Sequence, residues 1–187
     1  MNWPTPARSG IDDAANGLRE KGELTTHART ERDGAMTTRA VRPVVVGIDG
    51  SNDARRALCA AGEIARERSA ELVVVHAIGL TDVVDGQRVP AEAHLAEIAD
   101  EFTDWCQAVR TVGVEEWTPE LRHGTPVDTL LRVADEQEAD LVVVGRHGSG
   151  QRPELLLGST AHQVAERATC AVLIVPPAGR SGDTLQT

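Results

Sequence analysis

The sequence predicts an α/β fold, an open parallel sheet with helices on both faces, and three observations lead there. Short runs at Val44–Ile48, Leu72–Ala77, Leu141–Val144 and Ala171–Val175 are almost wholly apolar and rich in valine. Such runs suit strands buried on both faces. Between them lie segments whose apolar residues recur at helical spacing. Finally, Gly145, Gly148, Gly150 and Gly158 punctuate the stretch between the third run and a helical segment opening at Ser159-Thr160. Strands alternating with helices build a parallel sheet, and right-handed crossovers restrict how it is wound.

Each element has its own grounds. After the first strand, Ser51 or Asn52 is placed to cap a helix and Asp53 suits its first turn. Ala57, Leu58, Ala61, Ile64 and Ala65 form that helix's apolar face. The second strand carries His76 near its end, and Gly79–Pro90 reads as a loop. Ala91–Val112 is the longest helix, with Leu95, Ile98, Ala99, Phe102, Cys106 and Val109 as its buried stripe. Gly113 stops it. Val114–Arg122 is a weaker strand that Pro119 assigns to a sheet edge. Thr125 then caps a helix with Pro126 in its first position and the stripe Val127, Leu130, Leu131, Ala134. A last helix runs to Ala168, and Ala171–Val175 closes the unit before Pro176-Pro177.

The chain has 187 residues and a net charge of −10. Residues 1–39 hold six acidic and six basic residues, so the whole excess falls in the later part, where 23 acidic residues face 13 arginines. That balance argues against nucleic acid and anionic membranes as partners. No apolar run approaches the ~20 residues of a membrane helix, and no signal-peptide core appears. Cys59, Cys106 and Cys170 are too widely spaced for a zinc pattern and read as reduced thiols of a cytoplasmic protein. Residues 1–42 and 178–187 read as disordered tails around a domain at 43–177. Met36 stands where such a domain would ordinarily begin.

The chemistry sits in the glycine stretch. Glycines let a backbone approach a ligand closely. A helix N-terminus offers unpaired N–H groups and the positive end of a dipole. The pairing points to an anion, most naturally phosphate, on Gly145, Gly148, Gly158 and Ser159, with Thr160 as a second hydroxyl. Ser159 also reads as the helix N-cap. Arg146, His147 and Arg152 are the local positive or protonatable groups. The only lysine is Lys21, which excludes a Walker A loop. Neither a dinucleotide GxGxxG nor a GxSxG elbow is present.

The spacing Gly145-x2-Gly148-x9-Gly158-Ser159 is similar to that of nucleotide-binding members of the universal stress protein family. VVVGIDGS at Val44–Ser51, ELVVVHA at Glu71–Ala77 and the segment His123–Gly145 resemble that family's other blocks, in the same order. The resemblance implies strand order 3-2-1-4-5, a Rossmann-like sheet of the adenine nucleotide α-hydrolase-like kind. It implies a switch-point crevice between the first and fourth strands, with Asp49 approaching adenosine beside Gly47 and Ile48, and Ala77 at the adenine edge. It implies ATP as ligand, Mg²⁺ carried on the phosphates, a homodimer through the last strand, and a binding and signalling module in the stress response more than an efficient enzyme. Two other readings remain open: a dimerising domain for a cyclic or other adenine nucleotide, and a slow ATP hydrolase of the α-hydrolase-like group. The latter group carries SGG-x-DS after its first strand, where this chain reads DGSND.

Overall fold

The computed structural model describes residues 41–84, 87–150 and 156–177. The expected tails lie outside them save for residues 41 and 42, and Arg152 lies outside them too.

Valine-rich runs become strands β1 (Val44–Gly47), β2 (Leu72–Ile78), β6 (Leu141–Gly145) and β7 (Ala171–Val175), joined in one sheet by β5 (Trp117–His123). The order is β5-β2-β1-β6-β7, and every pairing is parallel. This is the expected 3-2-1-4-5 arrangement once β5, β6 and β7 count as third, fourth and fifth strands. Val44 sits in register with Leu72 on one side and Leu141 on the other.

Strand side chains alternate between faces. Val44, Val46 and Ile48 therefore pack under helices α1 (Asn52–Arg68) and α2 (Leu95–Val112). Val45 and its neighbours Val73 and Val142 pack under α3 (Pro126–Glu136) and α4 (Ser159–Arg167). Phe102, fully buried, is the chain's one phenylalanine and anchors the first face, so aliphatic side chains do most of the filling.

Helix ends follow the residues that cap them. Ser51 accepts the Ala54 N–H at 3.1 Å to start α1. Thr125 accepts the Asp128 N–H at 3.2 Å, with Pro126 in the first turn of α3. The Thr125 hydroxyl also donates to the Asp128 carboxylate at 2.7 Å, and Arg167 of α4 donates to the other oxygen at 2.6 Å. Those two bonds, Thr125's first, hold the Asp128 carboxyl below the usual carboxylate range. Gly113 closes α2 with φ +74°.

Three expectations are corrected. Residues 79–90 are not simply a loop: β3 (Thr81–Val84) and β4 (Gln87–Pro90) pair antiparallel. Runs of four residues are too short to show an alternating pattern in the sequence. The helix expected from Ala91 begins with a 3₁₀ turn, Ala91–His94, and becomes α-helical only at Leu95. The strand expected from Val114 starts at Trp117. Pro119 does sit in an edge strand, where a missing N–H costs the ladder least.

Removing the α3 cap gives a direct check. Thr125→Ala is expected to cost about 1 kcal/mol, read from the urea midpoint, while Thr125→Ser retains most of the stability. An unchanged midpoint in the alanine variant would remove the cap from this account.

Candidate functional site

Connections leave β1 towards β2 and β6 towards β7, so the chain diverges between two adjacent strands. A crevice opens outside their carboxyl ends, where ligands sit in folds of this kind. It is a cleft of ≈ 600 Å³. Gly47, Ile48 and Asp49 from the end of β1 line it, with Ala77 of β2, Gly145 to Gly148 after β6, and Gly158, Ser159 and Thr160 at the start of α4. The structure thus brings every sequence-predicted candidate among the described residues into one cavity.

The glycine loop is fastened at both ends. Arg146 donates its N–H to the Val175 carbonyl at 2.9 Å, and its own carbonyl accepts the Gly158 N–H at 2.9 Å. Gly145 touches the first turn of α1: a Cβ there would lie 2.7 Å from the Asp53 carbonyl carbon and 2.9 Å from the Ala54 nitrogen. At Gly158 a Cβ would lie 3.1 Å from the Arg146 carbonyl oxygen. At Gly148 it would lie 2.5 Å from a carboxylate oxygen of Asp49. Gly145 is therefore a packing necessity against backbone, while a side chain at Gly148 would have to displace the Asp49 carboxylate and one at Gly158 would crowd the Arg146 carbonyl.

Asp49 and Asp53 make the crosslinks. Asp49 accepts the Ser51 N–H at 3.1 Å and the Ser149 N–H at 2.7 Å. Asp53 accepts the His147 N–H at 3.1 Å and lies 3.6 Å from the His147 ring. Asp53 also pairs with Arg56, whose Nε donates to the Pro176 carbonyl at 3.3 Å. A carboxylate that receives backbone N–H groups from a distant loop fixes that loop's register at a cost of desolvation that the bonds offset.

Gly158, not Ser159, is the N-cap of α4, and no side chain caps that end. Ser159 occupies the first helical position. The first bond of the helix runs from the His162 N–H to the Gly158 carbonyl at 3.0 Å. The N–H groups of Ser159, Thr160 and Ala161 precede it and have no acceptor within the helix. All three residues line the cleft, so these donors and the dipole end face its interior. Arg146 is committed elsewhere in part, since its Nε donates to the Leu156 carbonyl at 2.7 Å.

His76 bonds the Ile48 carbonyl through Nδ1 at 2.8 Å and meets Phe102 and Trp105 by its ring, a packed histidine near the end of its strand. The thiol of Cys106 is buried, which pushes its pKa up to about 12, and Cys59 and Cys170 are likewise free. Among the described residues no group of three or more His, Cys, Asp or Glu gathers as a metal site, and no helix is long and apolar enough to cross a membrane.

The sequence reading missed four contributors: Asp53 as a loop anchor, Ser149 as a donor, Leu130 as a cleft wall and Trp105. A Cβ on Gly50, whose φ is +74°, would lie 2.6 Å from the Trp105 ring, so the indole closes over the turn after β1. Leu130 and Trp105 had a usable signal, their places on the apolar sides of α3 and α2. The close approach at Gly145 is testable without ligand. Gly145→Ala is expected to destabilise the fold by about 1–3 kcal/mol, as overpacking against backbone does, and a urea midpoint equal to wild type would refute that contact.

Comparison with known proteins agrees with this geometry. The model of the universal stress protein family matches residues 40–176. The chain is 33% identical over 144 residues to the universal stress protein YxiE of Bacillus subtilis, covering 71% of this chain and 97% of that protein. A universal stress protein solved in complex with cAMP superposes with a TM-score of 0.59 at 33% identity, covering 73% of this chain and 97% of the other. The Archaeoglobus fulgidus universal stress protein solved with dAMP gives 0.56 at 26% identity, covering 72% and 97%. The chain belongs to the universal stress protein family.

Proposed function

We propose that the cleft binds an adenine nucleotide, with ATP as the ligand and Mg²⁺ carried on its phosphates, and that the protein is a nucleotide-responsive module of the stress response with little or no turnover. The observation that carries the reading is the open N-terminus of α4, with Ser159 and Thr160, beside the Gly145–Gly148 loop at the end of β6. Three N–H groups without an acceptor in the helix, a dipole end and close backbone approach form a ready phosphate site. Gly47, Ile48 and Asp49 on one wall and Ala77 on the other are assigned to the adenosine half. Arg146 and His147 border the phosphate half. The relatives solved with cAMP and dAMP support the adenine part of the proposal. They also favour a second reading, a cyclic or other adenine monophosphate.

Low turnover follows from the residues present. The only lysine is Lys21, so the chain has no Walker A lysine, and no SGG-x-DS loop follows β1. The free thiols fit the cytoplasmic placement proposed with this function. The acidic balance of the domain argues against nucleic acid.

Thermal shift with Mg-ATP tests the ligand. At about 100 times the dissociation constant, binding adds roughly 2.7 kcal/mol. Gly158→Glu, which brings a carboxylate to the phosphate end, is expected to abolish the shift. No shift of wild type at millimolar ATP refutes the proposal, and rapid phosphate release lost in the variant makes the protein an enzyme.

The proposal includes a homodimer through β7, an edge strand whose Leu173 and Val175 are only partly covered. Sheet edges of this kind recruit a second strand, and a two-fold contact is the simplest closure. Leu173→Glu is expected to yield monomers by sedimentation velocity. Intact dimers in that variant would put the interface elsewhere.

A further inference from the structure

We infer that His76 is a positioning residue for the base: by taking the Ile48 carbonyl it stops β1 and β2 from pairing one residue further and leaves the main-chain N–H of Ala77 open to the cleft. The inference rests on the adenine-nucleotide reading, which assigns Ala77 to the adenosine half, and adds what keeps that strand end open.

The main-chain groups of β2 point alternately to its two neighbours. Even-numbered residues face β5: the Leu72 N–H donates to the Glu116 carbonyl and the Ile78 carbonyl accepts the Gly124 N–H, both at 3.0 Å. Odd-numbered residues face β1: the Glu71 carbonyl accepts the Val44 N–H and the Val75 carbonyl accepts the Ile48 N–H, both at 2.9 Å. The Ala77 N–H and carbonyl therefore face the β1 side as well. In a regular parallel ladder the next rung would run from the Ala77 N–H to the Ile48 carbonyl. That rung is not made, and the register of β1 with β2 ends at Gly47 and Val75. His76 Nδ1 stands 2.8 Å from the Ile48 carbonyl oxygen instead. A carbonyl oxygen only accepts, so Nδ1 carries the proton. The carbonyl is satisfied without the rung, and β1 turns away at Asp49 without stranding a main-chain acceptor.

The imidazole is fixed in this position. It stacks on Phe102 with centroids 6.0 Å apart and meets the Trp105 ring edge-on at 5.1 Å. Trp105 in turn covers Gly50, the φ +74° residue of the turn by which β1 leaves the sheet. β2 reads Leu-Val-Val-Val-His-Ala-Ile, so histidine is its one side chain able to donate. Without that donor the Ile48 carbonyl regains the Ala77 N–H as its ladder partner, and the strands close by one rung where the base would enter. Adenine offers a ring nitrogen that accepts beside an amino group that donates, which complements a main-chain N–H beside a C=O. Hypoxanthine offers the opposite pair and leaves both main-chain groups unsatisfied.

Calorimetric titration with Mg-ATP and Mg-ITP, which share their phosphates and differ at the base edge, tests this on wild type, His76→Phe and His76→Asn. Phenylalanine keeps a ring between Phe102 and Trp105 and loses the donor. Asparagine places an amide N–H where Nδ1 stands, so it is the conservative rescue. The preference for ATP over ITP is expected to fall about tenfold in His76→Phe, the worth of roughly one hydrogen bond, and to persist in His76→Asn. His76→Val, which repeats the residue at Val73, Val74 and Val75, is the second donorless variant, with the same expectation. Damage to the fold weakens both nucleotides together and does not imitate a change of preference. Hydrogen exchange at the Ala77 amide of the ligand-free protein is an independent readout: the extra rung slows it in the donorless variants, whereas structural loosening speeds it. No preference in wild type, an unchanged one in the donorless variants, a loss that asparagine does not rescue, or Ala77 exchange that is unchanged or faster overturns the role of His76 and leaves the nucleotide reading intact. No binding of either nucleotide by wild type overturns both.

Discussion

The site depends on the contact between the end of β6 and the first turn of α1. Gly145 meets the backbone of Asp53 and Ala54 closely enough to leave no room for a Cβ. That contact puts the Asp53 carboxylate in reach of the His147 N–H, 94 residues further along the chain. It sets the glycine loop across the mouth of the sheet, where Asp49 reaches Ser149 from the other side. A wider spacing between these elements would free both carboxylates and leave the loop attached only at its ends. The cleft is therefore built by backbone proximity first and by charge second.

Much of the architecture was legible in the residues. Continuous valine runs announce strands covered on both faces, and the alternation with helical periods announces the crossovers. Thr125-Pro126 gave the start of α3 because its cap is local chemistry, complete within four residues. The hairpin of β3 and β4 escaped because four residues per strand carry too little pattern to distinguish from a loop. Ser159 was misread as a cap because serine favours that position on average. Here Gly158 takes it, its N–H held by the Arg146 carbonyl, which is a tertiary contact that no local pattern encodes.

The candidate site was legible as a set of residues and not as a set of bonds. Motif spacing led to Gly145, Gly148 and Gly158, the family resemblance to Asp49, and all of them line one cleft. What the spacing could not convey is that Gly148 makes room for Asp49, or that Arg146 and His147 are turned to loop carbonyl and carboxylate partners. The pairings of Asp49 with the Gly148–Ser149 turn and of Asp53 with His147 join segments about a hundred residues apart. They exist only once the sheet has set β1 beside β6. Trp105 over Gly50 is a case of the same kind: its spacing from Phe102 and Val109 puts it on the buried side of α2, but nothing local says that the indole reaches the turn after β1.

The two margins of the sheet are chemically unequal. β5 carries Pro119, which has no N–H to offer, and its second half holds Glu120 and Arg122, joined by a 2.9 Å ion pair. β7 is Ala-Val-Leu-Ile-Val, with a donor on every residue. A stack that grows without limit needs a sticky margin on each side of every unit. The missing donor and the ion pair make the β5 margin the less adhesive of the two, so the aliphatic β7 is a smaller aggregation hazard than it would be opposite a second margin like itself.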